Sequence, residues 1–166
     1  MQERVPQRGE IHMRGNEQVI AVLNQALKEE LTAINQYFIH AEMCENWGYG
    51  KLGDYIKKLS IQEMKHAEAL IERILFLDGV PRMAEVLPLN IGQNVKAQME
   101  NDLKLETAAV AMYNAAVKTA CDAGDNGSRD LLVRLLKDEE SHVDWFETQL
   151  SRIREIGLEN YLAQQM

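Results

Sequence analysis

The sequence predicts an all-α protein, a four-helix bundle with a long crossover between the second and third helices and a short fifth helix at the C-terminus. Three observations predict it. Apolar residues recur at helical spacing in four long segments, strand-like alternation is almost absent, and two short glycine-bearing connections flank a long one that holds Pro81 and Pro88. The composition agrees, with only three Pro, 46% hydrophobic residues and abundant Ala, Leu, Glu and Lys.

Residues 1 to 15, with Pro6, Gly9 and Gly15, show no helical period and read as an irregular N-terminal extension; residues 16 to 166 read as one bundle domain. Asn16 is the expected N-cap of the first helix, which runs to about Trp47 before Gly48 and Gly50. Its apolar stripe is Leu23, Leu27, Ile34, Tyr37 and Ala41, and Glu30 falls on that stripe. The second helix, about Leu52 to Leu77, carries the stripe Leu52, Ile56, Leu59, Glu63, His66, Leu70 and is ended by Gly79 and Pro81.

The stretch from there to Gly92 is too long for a hairpin between antiparallel helices and reads as a crossover running the bundle's length. The third helix, about Gln93 to Ala123, carries Met99, Leu103, Glu106, Val110, Tyr113 and Val117, and ends at Gly124 and Gly127. The fourth, about Ser128 to Ile156, carries Leu132, Leu135, Glu139, His142, Phe146, Gln149 and Ile153, with Gly157 as C-terminal cap. Leu158 to Met166 is a short amphipathic tail suited to a fifth helix.

Polar residues interrupt every one of these stripes, and they repeat. Glu63 and His66 form a Glu-x-x-His, as do Glu139 and His142; Glu30 precedes Glu63 by 33 residues, and Glu106 precedes Glu139 by the same 33. Residues three apart on a helix point the same way, so each pair can reach one centre. A single Glu-x-x-His is more often a solvated helix face. Here four Glu and two His fall on apolar stripes of four helices at matched spacing, and a pseudo-twofold axis would bring them to one level of the core.

Burying four carboxylates costs several kcal/mol each unless they are neutralised, against a typical total stability of about 5 to 15 kcal/mol. Two divalent cations carry the four compensating charges. Carboxylate and imidazole donors without thiolate fit iron or manganese, with zinc as a possible occupant. The ligand pattern is the known signature of ferritin-like dimetal carboxylate proteins.

Other classes are disfavoured. A net charge of −8 argues against a nucleic-acid backbone as partner. Cys44 and Cys121 are isolated, which indicates neither a disulfide framework nor a rubredoxin-type iron site, and reduced thiols are the default. No apolar run approaches the ~18 residues of a membrane span, and no signal-peptide core is visible, so the expected location is the cytoplasm.

At these residues the chain resembles the bacterioferritins, the haem-containing bacterial ferritins, from Asn16 to the C-terminus. The resemblance is carried by Glu30-Leu31-Thr32-Ala33-Ile34-Asn35-Gln36-Tyr37-Phe38, Glu63-Met64-Lys65-His66-Ala67, Ile71-Glu72-Arg73-Ile74-Leu75-Phe76-Leu77, Leu89-Asn90-Ile91-Gly92 and Asp138-Glu139-Glu140-Ser141-His142-Val143-Asp144-Trp145. It implies a ferritin-like fold and iron storage: a hollow homo-oligomeric shell of 24 subunits built from dimers, and a ferroxidase centre of two iron ions in each subunit. Glu30 and His66 would be terminal ligands of one iron, Glu106 and His142 of the other, with Glu63 and Glu139 bridging. Two Fe(II) would then reduce one O2 or H2O2 by two electrons, and ferric mineral would collect inside. Tyr37 is placed either to supply a further electron or to serve as a hydrogen-bonded core tyrosine.

Met64 follows Glu63 by one residue and so points about 100° away from the metal stripe, out of the bundle. An outward Met is by itself packing or interface filler. The resemblance makes it an axial ligand of a haem b shared between two subunits, one sulfur from each, with Leu31, Asn35 and Phe38 lining the pocket. The resemblance also suggests a small iron–sulfur ferredoxin as partner for iron release, although no residue of the sequence establishes it.

The chain departs from the family pattern at several places. Lys58 and Gln62 stand where some members place a His and an Asp on the inner shell surface, and Leu70 replaces a tyrosine near the centre, while Trp145 matches. Iron passing through the centre, rather than oxidation at a fixed cofactor, would suit those changes. Met13 aligns with the usual family start, so residues 1 to 12 are either an extension or a start-codon artefact; His12 and His40 fall outside the motifs, as structural or exposed residues. The competing readings are a non-haem ferritin and a dimetal redox enzyme on the same bundle, such as a peroxidase, oxygenase or manganese catalase.

Overall fold

The computed structural model describes residues 14–166. His12, and all of the N-terminal extension before Arg14, lie outside the described residues. Five helices follow in order: α1 Glu17–Asn46, α2 Gly50–Phe76, α3 Val95–Asp122, α4 Asn126–Ile156 and α5 Leu158–Ala163. The four long helices match the predicted ones within two residues at each end, and α5 stops at Ala163 rather than Met166.

The caps explain the boundaries. Asn16 Oδ1 accepts from the backbone N–H of Gln18 (2.8 Å) and Val19 (3.3 Å), which satisfies donors that α1 leaves free. Asn94 does the same for Ala97 at the start of α3, and Asp125 for Ser128 at the start of α4. The end of α2 differs from the expected glycine stop, because the left-handed residue is Asp78, at φ 60°. Gly79 is needed instead for close approach: a Cβ there would lie 2.9 Å from Ile20 Cγ2.

Two apolar clusters fill the bundle. One holds Val19, Leu23 and Leu27 with Leu70, Ile74, Tyr113, Ala116, Leu132 and Leu135. The other holds Tyr37, Cys44, Leu52, Ile56, Met99, Phe146 and Ile153. Going along the chain, α1 and α4 pass from the first cluster to the second, whereas α2 and α3 pass from the second to the first. Helices α2 and α3 therefore run the same way, and only a connection spanning the bundle can join them. On each of the four long helices the residues between the two clusters include the predicted Glu and His positions, so these form a polar layer midway along the bundle.

The crossover, residues 77–94, is fastened to one line of polar side chains on α1. Asn24 donates to Val80 O (3.2 Å) and accepts from Arg82 N (2.9 Å). Thr32 Oγ1 accepts from Leu87 N, Gln36 Oε1 from Asn90 N and His40 Nε2 from Gly92 N, each at 2.9 to 3.0 Å. Since His40 Nε2 accepts, its proton sits on Nδ1 and is donated to Asp102, 3.0 Å away. His40 is fully buried and structural, one of the two roles open to it from sequence.

Helix α5 folds back through Tyr161, whose hydroxyl donates to Gln149 Oε1 at 3.0 Å. Cys44 is a buried free thiol, pushed up to about 12 by burial, and Cys121 is free and exposed. Among the described residues no helix is long and apolar enough to cross a membrane.

Candidate dimetal centre

All six predicted ligand residues meet in the polar layer, and none is more than 5% exposed. Their donor atoms form two quartets, Glu30, Glu63, His66, Glu139 and Glu63, Glu106, Glu139, His142, each with one atom per residue within 4.8 Å of the others. Glu63 and Glu139 belong to both.

The orientation of those two carboxylates is specific. Glu63 Oε2 lies 2.8 Å from His66 Nδ1, and its Oε1 lies 2.9 Å from His142 Nδ1. Glu139 repeats this, with Oε1 at 3.0 Å from His66 Nδ1 and Oε2 at 3.7 Å from His142 Nδ1. Glu30 approaches only His66 (3.6 Å) and Glu106 only His142 (3.3 Å).

These are ion-pair distances without hydrogen-bond alignment. Both Glu63 oxygens, Glu139 Oε1, Glu106 Oε2 and the Nδ1 atoms of both histidines are buried with no hydrogen-bond partner. Buried polar atoms are ordinarily satisfied, so a set of lone pairs converging unbonded on two points fits a pair of cations.

Without cations the site balances itself with protons. Burial, then the Glu63 and Glu139 charges, holds Glu30 protonated well above the usual carboxylate range. Burial and the Glu139 charge do the same for Glu106. Burial and Glu139 also push Glu63 up, but His142 and His66 outweigh them and hold it low. Burial opposes ionisation of Glu139 too, yet the same histidines lower it to about 2. Burial disfavours the charged His66, but Glu139, Glu30 and Glu63 raise it to about 12; His142 moves the same way under Glu106, Glu139 and Glu63. The shifts run in one sense: protonation is favoured at His66, His142, Glu30 and Glu106 and ionisation at Glu63 and Glu139.

Beyond the six, Tyr37 on α1 donates its phenolic hydrogen to Glu106, and Tyr113 on α3 donates to Glu30. Asp138 Oδ2 lies 3.1 Å from His66 Nε2. Tyr113 and Asp138 carry no role in the sequence pattern as read above. The signal for Tyr113 was present, since it follows Tyr37 by the 76 residues that separate Glu30 from Glu106. Tyr37 also packs on Phe146, which meets Trp145 edge-on, and Trp145 stacks on Tyr55 at 4.2 Å between centroids.

Met64 is 54% exposed on the opposite side of α2 from the centre, in a cavity with Leu31, Ile34, Ile71 and Met83. Leu31 shares that cavity; Asn35 and Phe38 are exposed further along α1 and do not line it in one chain. Leu70 is fully buried in the first apolar cluster, and Lys58 and Gln62 line an open cavity beside His66.

The family model described as "Ferritin-like domain" matches residues 20–156. The chain is 46% identical over 149 residues to the bacterioferritin of Brucella melitensis, covering 90% of this chain and 92% of the relative. It is 40% identical over 152 residues to that of Mycolicibacterium paratuberculosis and 41% to that of Mycobacterium leprae, covering 92% of this chain and 96% of each relative. The chain belongs to the bacterioferritin family. The stretch matched by the ferritin-like model reaches from the first turn of α1 to the end of α4 and includes all six candidate ligands.

Proposed function

We propose that this chain stores iron by oxidising Fe(II) at the centre between its four helices and depositing ferric mineral inside a shell of 24 copies. Family membership supports the storage role. The observation that carries the chemistry is the pair Glu63 and Glu139, each turning one oxygen toward His66 and the other toward His142. Carboxylates so placed hold two ions side by side, with Glu30 and His66 closing one site and Glu106 and His142 the other. Two Fe(II) held together supply a pair of electrons to O2 or H2O2, so no one-electron product need leave.

The chain's own part is proton handling and exclusion. As the ions enter, His66 and His142 give up their protons from Nδ1, and Glu30 and Glu106 lose theirs. The phenols of Tyr37 and Tyr113 hold one oxygen of each terminal carboxylate in place. Tyr37 would also supply a further electron. With every ligand at most 5% exposed, the centre suits ions and small oxidants such as O2 or H2O2 rather than an organic substrate, which disfavours the readings that need one.

Met64 offers a half-exposed thioether in an apolar cavity, suited to one side of a haem b; the second sulfur must come from another copy of the chain. When bound, that group supplies a one-electron relay. Exposed Phe38, Met64, Phe76, Val80 and Met83 give the outer faces of α1, α2 and the crossover the apolar surface that assembly would bury. A cytoplasmic location and an iron–sulfur ferredoxin for release complete the proposal, as does the assignment of residues 1–15 as an extension to the ferritin-like domain at 16–166.

Air oxidation of Fe(II) by the purified particle, followed together with its size, tests the reading. Rapid oxidation is expected, lost in Glu63→Ala with His142→Ala. A monomer-sized particle, or turnover unchanged in that double variant, would overturn it.

A further inference from the structure

The open cavity between α2 and α4, of about 630 Å3, is lined by Lys58, Gln62, Lys65, His66, Arg134 and Asp138. Lys58, Lys65 and Arg134 are exposed, and among the described residues none of them pairs with a carboxylate or makes a side-chain hydrogen bond; the described Lys and Arg ion pairs use Arg14, Lys57, Arg73, Arg82, Lys96 and Lys118. One acid reaches the cavity, Asp138, and its Oδ2 is already engaged by His66 Nε2.

A concave site with three unpaired cations is a local inversion in a chain of net charge −8. Cations crowded in this way repel one another and the Fe(II) that the neighbouring centre takes, so the cavity is not an inlet for metal ions. Its complement is an anion with several acceptor oxygens, since a tetrahedral oxyanion offers acceptors in several directions to ammonium, guanidinium and amide donors lining one cavity. Gln62, unbonded at the same wall, adds a neutral donor.

We propose that this cavity binds inorganic phosphate beside His66. The use of the anion, as counter-ion to ferric product leaving the centre, rests on the iron-oxidation reading; its binding does not.

Equilibrium dialysis of radiolabelled inorganic phosphate against the metal-free, assembled full chain tests the site. Saturable binding near one phosphate per chain is expected, weakened about tenfold or more in Lys58→Gln with Arg134→Gln. Lys104→Gln, which removes a charge on α3, a helix that contributes nothing to the cavity lining, should leave it unchanged. Asp138→Asn should tighten it several-fold, a gain that a misfolded variant cannot imitate. Absence of saturable binding, retention in Lys58→Gln with Arg134→Gln, equal loss in Lys104→Gln, or no gain in Asp138→Asn would each overturn the proposal. Fe(II) oxidation in phosphate-free buffer is scored separately, so failure there falls on the function and not on the anion site.

Discussion

Tyr37 and Tyr113 are equivalent across the bundle: each donates its phenolic hydrogen to a glutamate carried by the other's helix, Tyr37 on α1 to Glu106 on α3 and Tyr113 on α3 to Glu30 on α1. The same offset of 76 residues relates Glu30 to Glu106, Glu63 to Glu139 and His66 to His142. The internal symmetry therefore extends from the six converging side chains to the groups that orient them.

Tyr37→Phe and Tyr113→Phe should each lower the affinity for a divalent probe such as Co(II) by about ten- to a hundredfold, the usual cost of losing an orienting partner. Titration of the metal-free protein, followed by Co(II) absorption, measures it. Equal losses assign both phenols a positioning role. A larger loss of Fe(II) oxidation in Tyr37→Phe than in Tyr113→Phe, at matched Co(II) affinity, assigns Tyr37 the additional electron.

How far the sequence discloses this arrangement depends on periodicity. Glu30, Glu63, His66, Glu106, Glu139 and His142 were legible because each breaks an apolar stripe at a fixed spacing, and the clusters on either side of them dictate one layer. The crossover was legible from its length and prolines. Its attachment was not: Asn24, Thr32, Gln36 and His40 look like ordinary polar helix positions until the segment they hold is seen beside them. Asp138 escaped notice for a similar reason, since it lies next to Glu139 and binds His66 on another helix. Its counterpart 76 residues earlier is Gln62, which makes no such bond, and His142 Nε2 is left without a partner. The two halves are alike at the six side chains and the two phenols, and unlike at the outer nitrogens of the two histidines.

Asn24→Ala should destabilise the protein by about 1 to 3 kcal/mol, because it removes two part-buried hydrogen bonds to the crossover, from Arg82 N–H and to Val80 O. Chemical unfolding of the metal-free protein measures the loss. Little change would mean that the crossover is held by its apolar contacts alone.

Protonation links metal loading to pH. With His66, His142, Glu30 and Glu106 all raised, the metal-free fold binds protons that the unfolded chain releases first, and stability from these groups is lost as pH rises above the unfolded values of roughly 4.5 for Glu and 6.5 for His. Glu63 and Glu139 are lowered, so their contribution is lost as pH falls below roughly 4.5 toward 2. The metal-free protein should therefore be most stable near roughly pH 5 to 6 and weaken toward pH 9. Loading two Co(II) at pH 6 should release about four protons, one each from His66, His142, Glu30 and Glu106. Calorimetry in buffers of different ionisation enthalpy counts them; release near zero would mean that the empty site is not proton-balanced.

Met64 separates the haem-bearing reading from a non-haem ferritin. The residue sits one position after Glu63, so a single turn of α2 presents a carboxylate to the dimetal centre and a thioether to the outside, where it is 54% exposed beside Leu31, Ile71 and Met83. Truncating an exposed side chain of this kind should change the stability of one chain by no more than about 0.5 kcal/mol. Met64→Ala should accordingly give particles of unchanged size that take up and oxidise Fe(II) but show no Soret band after reconstitution with haem. Retention of the band would exclude Met64 as ligand, whereas loss of the particle together with the band would make the thioether a contact between copies of the chain.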